Sequence, residues 1–310
     1  MARTPWHEVD PDLRAAVEEM LGAAVIDAVS QPGGFSPGSA DRVALADGRR
    51  AFVKTATDAV NADVVRIHRS EAAVAAALPP DVPAPAFWGS VDRGDRIAVV
   101  FADVEAQHPE TPWRGDDLAA VLDALAVLTE RPVPPSPALA DFSSAAAEYA
   151  RGWTLLGDGL PALPPDLGGW TRAELPRLVD ASARMPAVTR GDRLVHHDLR
   201  ADNVLLLEDG SAVLIDWPWG ARGAGWVDAL TLLFNVRYFD PSADVETVIA
   251  SHAVFTGMRS ADADAVLAGL AGHFLHVSQQ PAVPGIPTLR AFQYDQAVAI
   301  LRWVRERWTR

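Results

Sequence analysis

Residues 196–217 read HHDLRADNVLLLEDGSAVLIDW, and the fold of the whole chain turns on this stretch. Two carboxylates and an asparagine, Asp198, Asn203 and Asp216, stand at the ends of apolar runs that double back on Asp209-Gly210. An Asp-Gly pair between VLLL and AVLI is a strong hairpin signal, and both positions tolerate the positive φ of a two-residue type I′ turn. Such a turn sets residue 208 against 211 and residue 203 against 216. Asn203 and Asp216 then face each other with Cβ atoms about 4.5–5.5 Å apart. An amide carbonyl and a carboxylate at that separation are hard oxygen ligands of the kind Mg²⁺ accepts beside substrate phosphates. Asp198, upstream in the loop, is expected just beyond that ion, where a carboxylate receives a proton from, or orients, an attacking hydroxyl. Singly, each of these residues reads as an ordinary polar strand end. Together, an H-x-D-x-x-x-x-N run, an apolar hairpin and a further Asp form a specific pattern.

A second hairpin carries the other charged group. RVAL and RAFVK flank Asp47-Gly48, and the same turn geometry sets Lys54 across from Asp41. Lys54 is the only lysine in the chain. Arginine replaces it freely where only surface charge is needed, so its retention marks a position that needs a compact ammonium on a flexible stem. It lies beside the exit of the Gly-rich run GGFSPGS, which ends at Ser39 and whose backbone amides suit a phosphate. Glu71, on the helix expected next, is the candidate partner that holds Lys54 in place.

The composition sets bounds on partners. With 310 residues the chain can bury a substantial core, as one large domain or two lobes. There are 27 basic and 41 acidic side chains, a net charge of −14, which disfavours nucleic acid as a partner. No apolar run is long enough to cross a bilayer, so no membrane partner is expected. The absence of cysteine removes disulfides and thiolate chemistry and fits a reducing cytoplasm.

Along the chain, residues 11–30 show helical spacing through Leu13, Val17, Met20, Leu21 and Ala24. The first strand pair, a helix carrying Glu71 and stopped by Pro79-Pro80, and strands near 87–91 and 97–101 complete a small nucleotide-binding lobe over residues 1–104. Residues 105–310 read as a mainly helical catalytic and acceptor-binding lobe. Its expected helices are 116–128, 145–156, 172–185, 226–238, 243–255, 261–277 and 289–308, with the hairpin of the opening stretch as the exception. The fold class is therefore α+β, two lobes with a cleft between them.

HHDLRADN, the following IDW, VK at Lys54 and SEAAV at Glu71 resemble the aminoglycoside phosphotransferase and choline kinase-like enzymes, small-molecule relatives of protein kinases. The resemblance covers most of the chain in the right order. It implies a protein-kinase-like fold with ATP between the lobes, GTP being the alternative nucleotide, and Mg²⁺ as cofactor. Lys54 would meet the α- and β-phosphates and Glu71 would brace it. Asp198 would be the catalytic carboxylate, and Asn203 and Asp216 would hold Mg²⁺. Apart from the resemblance, Arg200, two residues after Asp198, is placed to reach the transferred phosphoryl group, a solvated guanidinium being the alternative reading. The backbones of Ala102 and Val104 would meet the nucleobase, and Leu205 and Ile215 would pack beneath its ring. Asp228 in WVDAL resembles the aspartate that ties the following helix to the catalytic loop. The acceptor implied is a hydroxyl of a sugar, aminocyclitol, antibiotic or amino alcohol, met by helices that include Tyr294 and Asp295.

The chain departs from the family pattern at His197, where glycine is usual between the motif His and Asp; packing is the reading adopted for it. His196 reads as a structural support. Among competing readings, GFSPG at 34–38 matches a serine-hydrolase elbow, but a helix precedes it and Pro37 follows Ser36 directly. His273 and His276 in HFLH lack an evident third ligand for zinc. A protein kinase and a catalytically dead nucleotide-binding protein remain as alternatives. Against the second stands the full Lys, Asp, Asn and Asp set.

Overall fold

The computed structural model describes residues 4–31, 38–130, 132–157, 159–283 and 286–309. By contacts the chain divides into two units: residues 1–108 with 202–220, and residues 109–201 with 221–310. This differs from a single cut after residue 104, because residues 105–108 and the hairpin segment 202–220 belong with the first unit. Gln107 and Leu206 exchange backbone hydrogen bonds of 3.1 and 2.7 Å, and Leu214 N donates to Pro83 O at 2.7 Å.

Helix α1, Pro11–Leu21, begins with Asp10 accepting from Leu13 N at 3.0 Å and ends at Gly22 with φ 69°. The helix expected to run to residue 30 therefore stops nine residues early. Gly22 takes the left-handed cap at no steric penalty, and Val25–Ser30 becomes strand β1. Four more strands follow, β2 Ser39–Leu45, β3 Arg50–Thr57, β4 Phe87–Asp92 and β5 Arg96–Ala102, with helix α2 Asp58–Ala77 after β3. The sheet is antiparallel in the order β1-β2-β3-β5-β4. Strand alternation sorts β3 between two cores. Ala51 and Val53 join Leu13, Val17 and Leu21 of α1, while Phe52 and Ala56 pack with Val64, Val65 and Ala72 of α2. Lys54 shares the face of Phe52 and Ala56, which is the α2 face.

The second unit holds α3 Gly115–Glu130, β6 Ala140–Asp141, α4 Phe142–Tyr149, α5 Gly152–Leu156, α6 Pro165–Ala173, α7 Leu175–Ser182, α8 Met185–Val188 and β7 Arg193–Val195. The chain then supplies the ribbon β8 Val204–Leu206 and β9 Ala212–Leu214 to the first unit. It continues with β10 Ala221–Gly223, α9 Val227–Phe239, α10 Val245–Ser251, α11 Ser260–Ser278 and α12 Leu289–Thr309. Strands β6, β10 and β7 form a small sheet that the sequence reading missed, each strand being too short for an alternation pattern. Helix α11 is apolar around most of its circumference and buried accordingly, at Ala263 and from Ala265 through Gly272. Its backbone is approached closely by α5. A Cβ on Gly152 would overlap the backbone of Gly272 and His273, and a Cβ on Gly272 would come within 2.6 Å of Trp153 Nε1. Among the described residues, no helix is long and apolar enough to cross a membrane.

Candidate active site

Both hairpins are one residue out of the expected register. Val204 pairs with Leu214 and Leu205 with Val213, so Asn203 stands opposite Ile215, whose N–H donates to Asn203 O at 3.0 Å. Ala40, not Asp41, lies across from Lys54, which also faces Val99 of β5. The cause is common to both. The loops contain three residues, Ala46–Gly48 and Glu208–Gly210, and only the glycines, at φ 89° and 83°, are left-handed. In each, the aspartate accepts a hydrogen bond from the backbone two residues on: Arg49 N to Asp47 at 3.0 Å, Ser211 N to Asp209 at 2.9 Å. That local cap favours a turn with a glycine bulge over a two-residue type I′ turn.

Asp216 therefore lies one residue past the position opposite Asn203, at a left-handed turn of the backbone. Its φ is 67°, outside the ordinary range for a residue with a side chain. Lys54 Nζ donates to Asp216 Oδ1 at 2.8 Å and to Glu71 Oε1 at 2.6 Å. Helix α2 secures the same segment at two further points. Ser70 Oγ donates to Pro218 O at 2.6 Å, and Gly220 lies so near Val74 that a Cβ would come within 2.5 Å of it. Trp217 is buried, its Nε1 donating to Leu214 O at 2.8 Å, and Trp219 is the exposed indole of the pair.

The electrostatics follow from burial. Desolvation alone would depress the Lys54 ammonium; the charges of Asp216 and Glu71 outweigh it and hold the group protonated well above its ordinary value. Glu71, 1% exposed on its side chain, is pushed up to about 7 by burial, while Lys54 pulls the other way. The pair therefore sits in a place where each charge depends on the other.

The remaining candidates of this unit are placed as follows. Ser39 begins β2, buried, its Oγ accepting from Thr55 Oγ1 at 2.8 Å; the Gly-rich run before it, with Ser36, lies outside the described residues from 32 to 37. Ala102 N donates to Ala86 O at 2.8 Å, and Val104 O accepts from Arg42 Nη2 at 3.1 Å. Leu205 and Ile215 share one face of the ribbon on diagonal positions, close enough to form a joint apolar surface. Sequence reading missed Asp103, whose side chain is held between Arg42 Nε at 3.2 Å and Arg50 Nε at 2.9 Å. Charges on neighbouring strands were visible in the sequence; which of them meet depends on register.

In the second unit, Asp228 holds the loop that precedes Asp198. Its carboxylate, buried at the start of α9, accepts from His196 N at 2.5 Å and His197 N at 2.9 Å. Burial raises its pKa, with His196 and the two amides acting against that rise. His196 is fully buried and its Nδ1 accepts from Asp198 N at 3.3 Å, which makes it a support rather than a base. Arg200 Nη1 meets both oxygens of Asp198, at 3.0 and 3.3 Å. Tyr294 points its hydroxyl at Ala162 O, 2.7 Å away.

With this geometry in hand, residues 34–263 match the model of the phosphotransferase enzyme family. The chain belongs to that family. It is thus a small-molecule kinase with the α+β, protein-kinase-like fold expected from its sequence. Solved structures agree in fold. Choline kinase LicA from Streptococcus pneumoniae superposes with a TM-score of 0.61 at 13% identity, over 94% of this chain and 97% of that one. A thermostable mutant of aminoglycoside phosphotransferase APH(4)-Ia, in ternary complex with ADP and hygromycin B, gives 0.57 at 17% identity, over 94% and 98%. Amicoumacin kinase hAmiN, in complex with AMP-PNP, Ca²⁺ and Ami, gives 0.53 at 12% identity, over 92% and 93%. No curated protein sequence matches the chain.

Within this phosphotransferase, His197, read from the sequence as a departure from the usual glycine, is occupied under constraint. Its φ is 76°, its ring lies edge-on to Phe142 with centroids 4.6 Å apart, and Tyr149 OH is 2.7 Å from its Nε2. Tyr149 carried no motif and was not singled out in the sequence.

Proposed function

We propose that this phosphotransferase moves the γ-phosphoryl group of ATP, bound with Mg²⁺, onto a hydroxyl of a small molecule. The observation that carries the reading is the Lys54 ammonium, bridging Glu71 and Asp216 in a mostly buried setting. A positive point charge braced in this way suits the α- and β-phosphates of a nucleotide. Complexes of aminoglycoside phosphotransferase APH(4)-Ia mutants with ADP and with AMP-PNP support the nucleotide, and the hygromycin B present in both supports a small-molecule acceptor.

Asn203 and Asp216 offer an amide carbonyl and a carboxylate, both hard oxygen donors. Among the described residues no group of three or more His, Cys, Asp or Glu side chains could hold a metal by itself. A two-residue donor set suits a cation that keeps waters and substrate phosphates around it, as Mg²⁺ does. When bound, that ion neutralises charge along the phosphates. Ser39, at the start of β2, would lie near them. The Ala102 carbonyl and the Val104 N–H would meet the nucleobase, with Leu205 and Ile215 beneath it.

Asp198 would accept the acceptor hydroxyl's proton as its oxygen bonds to the γ-phosphorus and the bond to the β–γ bridging oxygen breaks, releasing ADP. Arg200 holds the Asp198 carboxylate from the side and supplies positive charge beside the transferred group. The decisive experiment is ADP release over aminoglycosides, macrolides, peptide antibiotics, hexoses, hexosamines and choline, with ATP and with GTP. At least one acceptor should raise release above hydrolysis. Asp216→Ala should abolish turnover, and Asp198→Asn should leave ATP binding intact while lowering kcat by roughly 10²–10⁴. A chain that ignores Mg-ATP and every acceptor, or an Asp198→Asn variant with normal turnover, sinks the reading.

A further inference from the structure

Position 197 is where a residue without a side chain would be at ease, and the chain puts an imidazole there. The left-handed conformation of His197 is sparsely populated for any residue with a Cβ, and persists only when its surroundings over-determine it. Two restraints do so, and they are independent. From the backbone side, Asp228 takes the N–H groups of His196 and His197. From the side-chain side, Tyr149 holds His197 Nε2 at 2.7 Å and Phe142 lies against the ring.

Tyr149 is itself fixed. Its ring lies tilted against His273 with centroids 4.3 Å apart, and just beyond it α5 meets α11 through Gly152 and Gly272 with no intervening Cβ. Trp153 Nε1 locks the approach by donating to Ala268 O at 2.8 Å. The groups are held neutral as well. Burial, with the Asp198 charge adding to it, raises the Tyr149 phenol. Burial, with His276 and His197 nearby, lowers His273 to about 4. The end of α4, braced by His273 of α11, therefore reaches the loop through one phenol and one imidazole, immediately before Asp198.

We propose that Tyr149 is a positioning residue of this phosphotransferase: it acts through the His197 ring to fix the left-handed turn that aims Asp198. The proposal rests on Asp198 being the catalytic carboxylate, and the experiment separates the two claims. Hydrolysis of ATP by water, with Mg²⁺ and no acceptor, is timed in the full chain for wild type and Asp198→Asn. If Asp198→Asn hydrolyses normally, the role of Asp198 fails first.

With Asp198 established, Tyr149→Phe should lower kcat about tenfold with KM for ATP unchanged, since small displacements of a reacting group carry penalties of that order and above. The double variant Tyr149→Phe, His197→Gly should match His197→Gly alone, because no ring is left for the phenol to hold. A residue that merely packs would instead add its loss in both backgrounds. Equal kcat for Tyr149→Phe and wild type, or additive losses in the double variant, overturns the proposal. Imidazole ¹⁵N resonances give a second measurement that needs no turnover. The His197 Nε2 signal should move in Tyr149→Phe, and an unmoved signal rejects the contact itself.

Discussion

Lys54 and Glu71 form an ion pair whose acidic partner is almost completely enclosed, Nζ to Oε1 2.6 Å with the Glu71 side chain 1% exposed. Lys54→Met leaves that carboxyl without its counter-charge, and breaking a buried pair costs about 3–5 kcal/mol. The loss should depend on pH. Burial holds Glu71 above its ordinary value of 4.5, so the folded chain keeps a proton that the unfolded chain has released. Folded stability therefore falls as pH rises through and beyond that value, and further in the variant, which lacks the pull of Lys54. Denaturant midpoints at about pH 5 and about pH 8 should show the larger loss at the higher pH. Equal losses at both would mean that Glu71 is not the group left behind.

Gly38 and Gly210 separate strain from obstruction. Both have positive φ, 135° and 83°, but only Gly38 is crowded, since a Cβ there would overlap the carbonyl oxygen of Thr55 beside Lys54. Gly210→Ala carries the conformational penalty alone, about 1–2 kcal/mol. Gly38→Ala must also displace β3, which should weaken binding of Mg-ADP about tenfold by moving Lys54. Titration calorimetry on both variants is the check; equal affinities would show that the strand yields without carrying Lys54 along.

Much of this was legible in the sequence, and the parts that were not share a physical reason. Lys54, Glu71, Asp198, Asn203 and Asp216 were chosen by residue type and spacing, which chemistry constrains tightly. Register was misread because Asp-Gly serves two loop lengths that both place glycine in the left-handed region, and the deciding bond, from the aspartate to the N–H two residues on, is a local choice the pattern does not display. Strand β1 was absorbed into a helix because Val25 and Ile26 follow a helical run whose stop, Gly22, is a single residue. The roles of Asp103 and Tyr149 depend on contacts 53 and 48 residues apart in sequence, which periodicity cannot register.

Gly272→Ala tests the close approach of α5 and α11. The new methyl would lie 2.6 Å from Trp153 Nε1, and the indole cannot retreat without giving up its bond to Ala268 O. Overpacking at such a contact costs about 1–3 kcal/mol, and the lost hydrogen bond adds to it. The variant should unfold at lower denaturant with an unchanged slope. Wild-type stability would mean that the two helices have room the geometry denies.

Asp228→Asn probes the loop before Asp198 through its other restraint. The carboxylate offers a separate oxygen to each backbone N–H, 2.5 Å to His196 and 2.9 Å to His197, in a residue only 2% exposed. Asparagine keeps the shape but has one acceptor; its NH₂ would point at the second N–H, donor against donor. One buried amide is then left unsatisfied, at about 1–3 kcal/mol. For a chain of this size that amounts to several degrees of melting temperature, about 2–4 °C per kcal/mol. The damage should be local: the His196 or His197 amide loses its protection from hydrogen exchange, kcat falls, and Mg-ADP affinity holds because Lys54 and Glu71 belong to the other unit. If the amides stay protected and the melting temperature stays put, the two-oxygen clamp is not what shapes the loop before Asp198.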